Sequence, residues 1–506
     1  MLQMALLAIG VILFVVVLIS LADNLIQIEA KKSGIDTEKT NMSLWPAIGQ
    51  LSQAKAPAAL SDFKFHKLKK GHNIKVAGSP TGEVTQGNIS RFAVRPTNFR
   101  GIAPIPKMLV EVGHEVKAGD PLFFDKKNPD TFFVAPVSGE VIEINRGEKR
   151  AIAEVVILAD KEQSYKKFDV PNLSLSTRDD LVTFLKSTGT LGNIIQRPFG
   201  TIADAEVTPR DIFVSAFDTA PLAPDPSVLI EGRMADFNKG LEVLSRLTEG
   251  KVYVSCNPLQ GGLATSIQNA EVHIFDGPHP AGNVGIQIHH IKQIKGADIV
   301  WTMNPAEVLS LGGLFNTGEL RQDKIVAIGG QVADPKYVKT MKGANIGELL
   351  EGQIQEENLR IISGDILTGE KVNPSQYLNS NDDQISVIKE GDYYEPFGWL
   401  LPIKPRPSIS ATFPNFLFNE FEVDTNTHGE KRAFVVSGQY EKMLPMDIYP
   451  QHLMKAILTG NIERMEGLGI NELLEEDVAV AEFACTSKQP LQELLRDGLD
   501  YLKEQV

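Results

Sequence analysis

The chain has 506 residues, 42% apolar and 23% charged, the composition of a globular protein large enough for two to four domains. A net charge of −14 argues against a nucleic-acid partner, because phosphate backbones require clustered lysine and arginine. The two cysteines, Cys256 and Cys485, lie far apart with no Cys-x-x-Cys neighbour; this excludes a disulfide framework and an iron–sulfur or zinc site built from them, and fits a reducing compartment.

Residues 4–22 are almost wholly apolar, with Ser20 the only hydroxyl. As a helix they reach roughly 28 Å, enough to cross a hydrocarbon core. No Lys or Arg precedes them, whereas Lys31, Lys32 and Lys39 follow. The positive-inside rule then predicts a transmembrane helix with its amino terminus outside and the main body in the cytoplasm. The alternative is a signal peptide cleaved near Ser20-Leu-Ala22, against which stand the missing basic region and the lack of disulfide cysteines. Residues 23–62, with Ala54-Lys-Ala-Pro-Ala-Ala, are too poor in large apolar residues to form a core and read as a linker.

From 63 to 160, short alternating runs are cut by Gly and Pro: Val110, Val112 and Val116 before the turn at Gly119-Asp120, Leu122 and Phe124 after it, then Ala135-Pro-Val-Ser-Gly139 leading into Val141, Ile142 and Ile144. This pattern predicts a small antiparallel β-barrel. It resembles the hammerhead barrel of biotinyl and lipoyl carrier domains, which attach their cofactor to a hairpin-tip lysine. Lys126 and Lys127 sit near that tip, but so soon after Gly119-Asp120 that the arm is shorter than in the carriers; no covalently bound cofactor is expected.

Residues 161–335 alternate helix and strand. Leu181–Lys186 begins a helical pattern that Asp179 or Asp180 is suited to cap. Residues 212–217, 252–255, 272–275, 299–301 and 325–328 read as strands, and Phe237, Leu241, Leu244 and Leu247 recur at helical spacing before Gly250. Strands alternating with helices predict a Rossmann-like, largely parallel sheet. The pairs Gly261-Gly262, Gly312-Gly313 and Gly329-Gly330 lack the spacing of a dinucleotide or Walker loop. Residues 336–400 carry two strand-like runs with Gly turns, a small third domain. Residues 401–506 read as mostly helical, ending in a helix with Leu491, Leu494, Leu495, Leu499 and Leu502 on one stripe.

Chemistry is suggested by two pairings of an aromatic with a cation: Phe99 and Arg100 in Thr97-Asn-Phe-Arg100, and Arg197 and Phe199 in residues 193–201. Such a pairing offers a flat apolar wall and a hydrogen-bond donor to a planar ligand with acceptor oxygens. In Val272-His-Ile-Phe-Asp-Gly-Pro-His-Pro-Ala-Gly282, a loop follows a strand end, where α/β sheets bind ligands. His273 and His279 could donate to a ligand oxygen there; a rigid turn with a core histidine is the simpler reading. His289-His290 adds no credible metal-ligand spacing.

Several ordered stretches resemble the A-subunit family of the Na+-translocating NADH:quinone reductases: Lys69-Lys-Gly-His-Asn-Ile-Lys-Val-Ala-Gly78, Asp125-Lys-Lys-Asn-Pro129, Asp276-Gly-Pro-His-Pro-Ala-Gly282, Gly312-Gly-Leu-Phe-Asn-Thr-Gly-Glu-Leu320, Glu395-Pro-Phe-Gly-Trp399 and Tyr440-Glu-Lys-Met-Leu-Pro-Met-Asp447. The likeness covers nearly everything after residue 65. The extension before Lys69 is a departure, since the family begins near that pattern. The resemblance implies an α/β multidomain chain related to the NADH-oxidising subunit of respiratory complex I, with a soluble-ligand-grasp (β-grasp-like) domain near 340–400. It implies a cytoplasmic component of a six-subunit sodium pump in the bacterial inner membrane, with subunits B to F as partners and quinone as substrate. Flavins and the 2Fe–2S centre are expected on those partners, because the carboxy-terminal cysteine clusters of the redox-active relatives are reduced here to Glu482-Phe-Ala-Cys-Thr-Ser-Lys488. Phe99, Arg100, Arg197, Phe199 and His279 are the expected quinone-contacting residues. The alternative role is a cofactor-free scaffold with no quinone contact.

Overall fold

A computed structural model describes residues 60–505 apart from 83, 231, 399–403 and 410–417, together with seven positions between 10 and 25. The chain divides into two units, Met1–Asp62 and Phe63–Val506. In the first, Gly10, Phe14, Val15, Leu18, Leu21, Ala22 and Leu25 are helical. The rest of the segment read as an anchor, and most of the linker, lie outside the described residues. Among the described residues no helix is long and apolar enough to cross a membrane.

The second unit is built on four sheets. The barrel region forms two of them: a four-stranded antiparallel sheet (Arg91–Val94, Ile152–Ala159, Gly139–Arg146, Glu115–Val116) and a three-stranded one (Lys107–Met108, Pro121–Phe124, Phe132–Val134). Alternation puts Phe92, Val141, Val155 and Ile157 of the first, with Leu122, Phe123 and Phe133 of the second, into one apolar core. Lys126 and Lys127 are exposed in the turn between Pro121–Phe124 and Phe132–Val134.

The third sheet has seven strands in the order Lys64–Lys67, Glu271–Asp276, Val252–Cys256, Ile212–Ser215, Val300–Met303, Ile194–Arg197, Thr201–Ile202. The first five are parallel; Ile194–Arg197 runs antiparallel to Val300–Met303. The longer helices are α1 (Arg178–Thr188), α2 (Met234–Ser245), α3 (Val284–Lys292), α4 (Pro305–Thr317), α5 (Pro450–Leu458), α6 (Glu475–Ala484) and α7 (Leu491–Gln505). Helix α1 starts one turn earlier than the aspartates suggest. Thr177 is the cap, its Oγ1 accepting from the Asp180 N–H while the Asp180 carboxylate accepts from the Thr177 N–H.

The fourth sheet corrects the strand expected at 325–328. Asp323–Gly330 does not join the parallel sheet; it pairs antiparallel with Lys336–Met341 and parallel with Gln384–Lys389. The complete order is Glu370–Val372, Leu359–Ser363, Gln384–Lys389, Asp323–Gly330, Lys336–Met341, Val84–Gln86. Helices α5, α6 and α7 close over a core of Tyr440, Leu453, Val478, Leu495 and Leu499; four of the five leucines of the final stripe are buried, Leu494 only in part.

The first strand meets its neighbour through histidines. His66 Nε2 lies 2.8 Å from His273 Nδ1, whose other nitrogen lies 3.1 Å from Glu271 Oε1, and the His66 ring stacks on Phe275 at 4.4 Å. His273, considered above as a donor to a ligand oxygen, is thus engaged within the sheet.

Candidate functional site

The two aromatic–cation segments are brought side by side. Ile202 N–H donates to the Arg100 carbonyl at 2.9 Å, which lays 97–100 along the end of 193–201. Two features flank this seam.

On one side is a small cleft where the barrel sheets meet the loops of the other two sheets. Phe99, Phe133 and Leu320 form its apolar wall, the two rings 4.5 Å apart, while Asn193, Lys342 and Ser380 bring polar groups to it. Lys342 follows the strand Lys336–Met341 and is only 5% exposed. Its Nζ donates to Asn193 Oδ1 at 2.8 Å and to Glu307 Oε1 at 3.0 Å. Glu307, also 5% exposed, stands in the first turn of α4, where the helix dipole favours a carboxylate; its Oε2 is buried without a hydrogen-bond partner.

On the other side stands the amino terminus of α6, with Glu475, Glu476 and Asp477 in its first turn. Arg100 reaches Glu475 at 2.8 Å from an exposed position. Arg197, at the end of its strand and followed by a cis Pro198, is 1% exposed; Nη2 lies 2.7 Å from Glu476 and Nη1 3.1 Å from Asp477, which is fully buried. Phe199 is half-buried against the carboxy-terminal core, and its carbonyl accepts from Arg496 at 3.0 Å. A Cβ at Gly285 would stand 2.5 Å from Arg197 Nη1 and 2.3 Å from Asp477 Oδ2, so α3 can pass this ion pair only with glycine there.

His279, in the rigid loop with cis Pro280, is 3% exposed. Its Nδ1 pairs with Thr219 Oγ1 at 3.1 Å, and either tautomer leaves Nε2 without a partner among the described residues. Burial lowers its pKa from 6.5 to about 4, opposed by the charges of Asp365 and Asp477.

Thus Phe99 lines the cleft, whereas Arg100, Arg197, Phe199 and His279 surround the start of α6. Phe133, Lys342, Ser380 and Glu307 were not anticipated. The sequence held one signal for Glu307: a single acid among Pro305, Ala306, Val308, Leu309 and Leu311 in a helix apolar all round.

The histidines make stability depend on pH. Burial, then the neighbouring His273, also lowers His66 to about 4. Between pH 6.5 and 4 these two histidines bind protons in the unfolded chain that the folded chain refuses, so their contribution to stability falls as pH drops through that window. Glu271, held near 2 by hydrogen bonds from Lys251 and Lys64, loses its contribution only lower, between 4.5 and 2. Desolvation raises Asp383 and Glu476 to about 7, and these act in the opposite sense over the same window, so the histidine contribution is read as a difference: the urea midpoint of His66→Phe is expected to rise relative to that of the wild type as pH falls from 6.5 to 4. An unchanged slope in that variant would show that His66 is not held neutral.

Three family models match the chain: the NqrA N-terminal barrel-sandwich hybrid domain over residues 66–160, the NqrA second alpha/beta domain over 176–320, and the NQRA C-terminal domain over 325–373. Among curated proteins, the A subunit of the Na(+)-translocating NADH-quinone reductase of Vibrio vulnificus (strain YJ016) is 38% identical over 445 residues, covering 87% of this chain and 99% of its own length. The proteins of the same name from Vibrio alginolyticus and Yersinia pestis bv. Antiqua (strain Angola) are also 38% identical at the same coverage. Two solved chains of NAD+-reducing [NiFe]-hydrogenase align with TM-scores of 0.28 and 0.32 at 13% and 12% identity, covering 36% and 66% of this chain and 41% and 66% of theirs; no argument rests on likeness so low. With near-complete coverage of relatives at 38% identity and three family models in register, the chain belongs to the A-subunit family of the Na+-translocating NADH-quinone reductases.

Proposed function

We propose that the chain is the quinone-facing subunit of an Na+-translocating NADH-quinone reductase, and that the cleft beside Phe99 receives the quinone head group. The observation that carries this reading is the meeting of 97–100 with 193–201 beside a cleft that sets the Phe99 and Phe133 rings against polar groups from Asn193, Lys342 and Ser380. A quinone is a flat apolar ring with two acceptor oxygens, and this wall and these donors match both parts. The start of α6, gripped by Arg100 and Arg197 and flanked by Phe199 and His279, braces the seam from behind, so these four act on the quinone by holding the cleft's shape.

In this reading NADH oxidation, flavins and the 2Fe–2S centre belong to the partner subunits B to F. Among the described residues no group of His, Cys, Asp and Glu is arranged to hold a metal ion. Residues 4–22 anchor the chain to the inner membrane, with the main body on the cytoplasmic side. The Rossmann-like and β-grasp-like domains then serve as supports for the cleft.

Photo-crosslinking with a quinone analogue in native membranes tests this. Label is expected on peptides containing Phe99 or Asn193 and is competed away by excess quinone. Phe99→Ala is expected to raise the quinone KM about three- to tenfold, the loss of roughly 0.5–1.5 kcal/mol of ring contact. Label confined to the membrane partners, with an unchanged KM, would leave a scaffold that makes no quinone contact.

A further inference from the structure

We propose that Lys342 is the hydrogen-bond donor that stabilises charge on a quinone carbonyl oxygen in the cleft, with Glu307 and Asn193 as the residues that position it; the inference rests on the reading that the cleft takes the quinone. A buried ion pair costs several kcal/mol per ion in desolvation, and apolar residues of the same shape are often as stable. Lys342 and Glu307 are each 5% exposed, and Lys342 stands in a cleft lined by the apolar Val94, Phe99, Phe133 and Leu320 and the uncharged Asn193 and Ser380. Stability alone gives little reason for a charge pair there.

The geometry supplies another reason. Two of the three ammonium protons are spent on Asn193 and Glu307, which fix the head group from two directions. Among the described residues no third acceptor is bonded to Nζ, and Lys342 lines the cleft. Glu307 is itself held by the first turn of α4, and its second oxygen has no partner, so the pair is anchored at one end. A quinone gains negative charge on its oxygens as electrons arrive. A fixed cation in a water-poor cleft stabilises that charge without having to reorganise. Lys342 is not consumed: NADH supplies two electrons through the complex, and solvent supplies the two protons that complete the quinol.

The test uses the whole purified complex, with NADH oxidation by an artificial acceptor as the control for assembly. In Lys342→Met, kcat for quinone reduction is expected to fall about a hundredfold or more, the range for removing one such donor, while the quinone KM moves less than about threefold. Lys342→Arg restores part of the rate, which a packing role would not produce. Glu307→Gln gives an intermediate loss in kcat. Should the uncompensated Glu307 prevent Lys342→Met from assembling, Lys342→Met with Glu307→Leu removes both charges, and the same loss of kcat is expected at a retained thermal midpoint. A wild-type kcat in Lys342→Met, beside a raised KM in Phe99→Ala, would leave the quinone in the cleft and overturn the role of Lys342. Unchanged kinetics in both variants would overturn the cleft reading itself.

Discussion

Arg197→Ala is expected to destabilise the chain by about 3–5 kcal/mol, the cost of breaking a buried ion pair by removing one partner. Asp477 is fully buried, and its Oδ1 already lacks a hydrogen bond. Oδ2 accepts from Arg197 Nη1 and from the Leu474 N–H. Without the guanidinium, the carboxylate faces an apolar surround with only that amide to satisfy it. The double variant Arg197→Met with Asp477→Leu is expected to recover most of the loss, because the fully buried charge is gone and Glu476, the other partner of Arg197, is 44% exposed and can be solvated. Thermal unfolding of the two proteins decides this. If the double variant unfolds as early as the single one, the arginine acts by something other than neutralising Asp477. For the same reason any loss of quinone reduction in Arg197→Ala must be read against this loss of fold.

The adjacent glycines Gly312 and Gly313 are expected to respond with opposite signs. A Cβ on Gly312 would stand 1.7 Å from the Asp236 carbonyl oxygen and 2.6 Å from the Gly240 nitrogen, backbone against backbone where α4 crosses α2. A Cβ on Gly240 would likewise meet the Val308 carbonyl oxygen at 2.2 Å. Neither helix has a flexible end that can swing aside, so Gly312→Ala is expected to cost at or above the usual 1–3 kcal/mol of overpacking. At Gly313 the nearest atoms are Arg233 Nη2 at 3.4 Å and Asp236 Oδ2 at 3.6 Å, ordinary contacts. There alanine is expected to gain up to about 1 kcal/mol from helix propensity. Unfolding midpoints that moved together would mean that the two helices are not in close contact.

These glycines show where a sequence is readable. Their spacing excluded a nucleotide loop, but only the crossing of α2 and α4 explains them. The central strands of the parallel sheet were legible because Ile212–Ser215, Val252–Cys256 and Glu271–Asp276 are apolar runs between turn signals. Asp323–Gly330 is an equally apolar run, yet nothing in such a run names its partner, and it pairs in a different sheet. Lys64–Lys67, with sequence Lys-Phe-His-Lys, and Val84–Gln86 were invisible because edge strands need little apolar surface. At the site, residue type found Phe99 and Arg197, but it could not tell a cleft wall from a buried brace. The Lys342–Glu307 pair spans 35 positions in sequence and is made only by tertiary packing.

The two short strands near the start of the second unit have a consequence for how the chain reaches this structure. Lys64 meets Glu271 across 207 positions, and Thr85 meets Tyr337 across 252. During synthesis both strands leave the ribosome long before the edges they will cover exist. Closing such distant pairings adds little extra entropy cost for each further residue, but it delays completion, and slow non-local pairing leaves strand edges open in the meantime. Until Lys64–Lys67 returns to Glu271–Asp276, and Val84–Gln86 to Lys336–Met341, each sheet presents a ladder of unpaired amides that another chain could extend. The stretch made first is thus fitted among the last, and it ties two sheets and the barrel that follows into one cooperative unit.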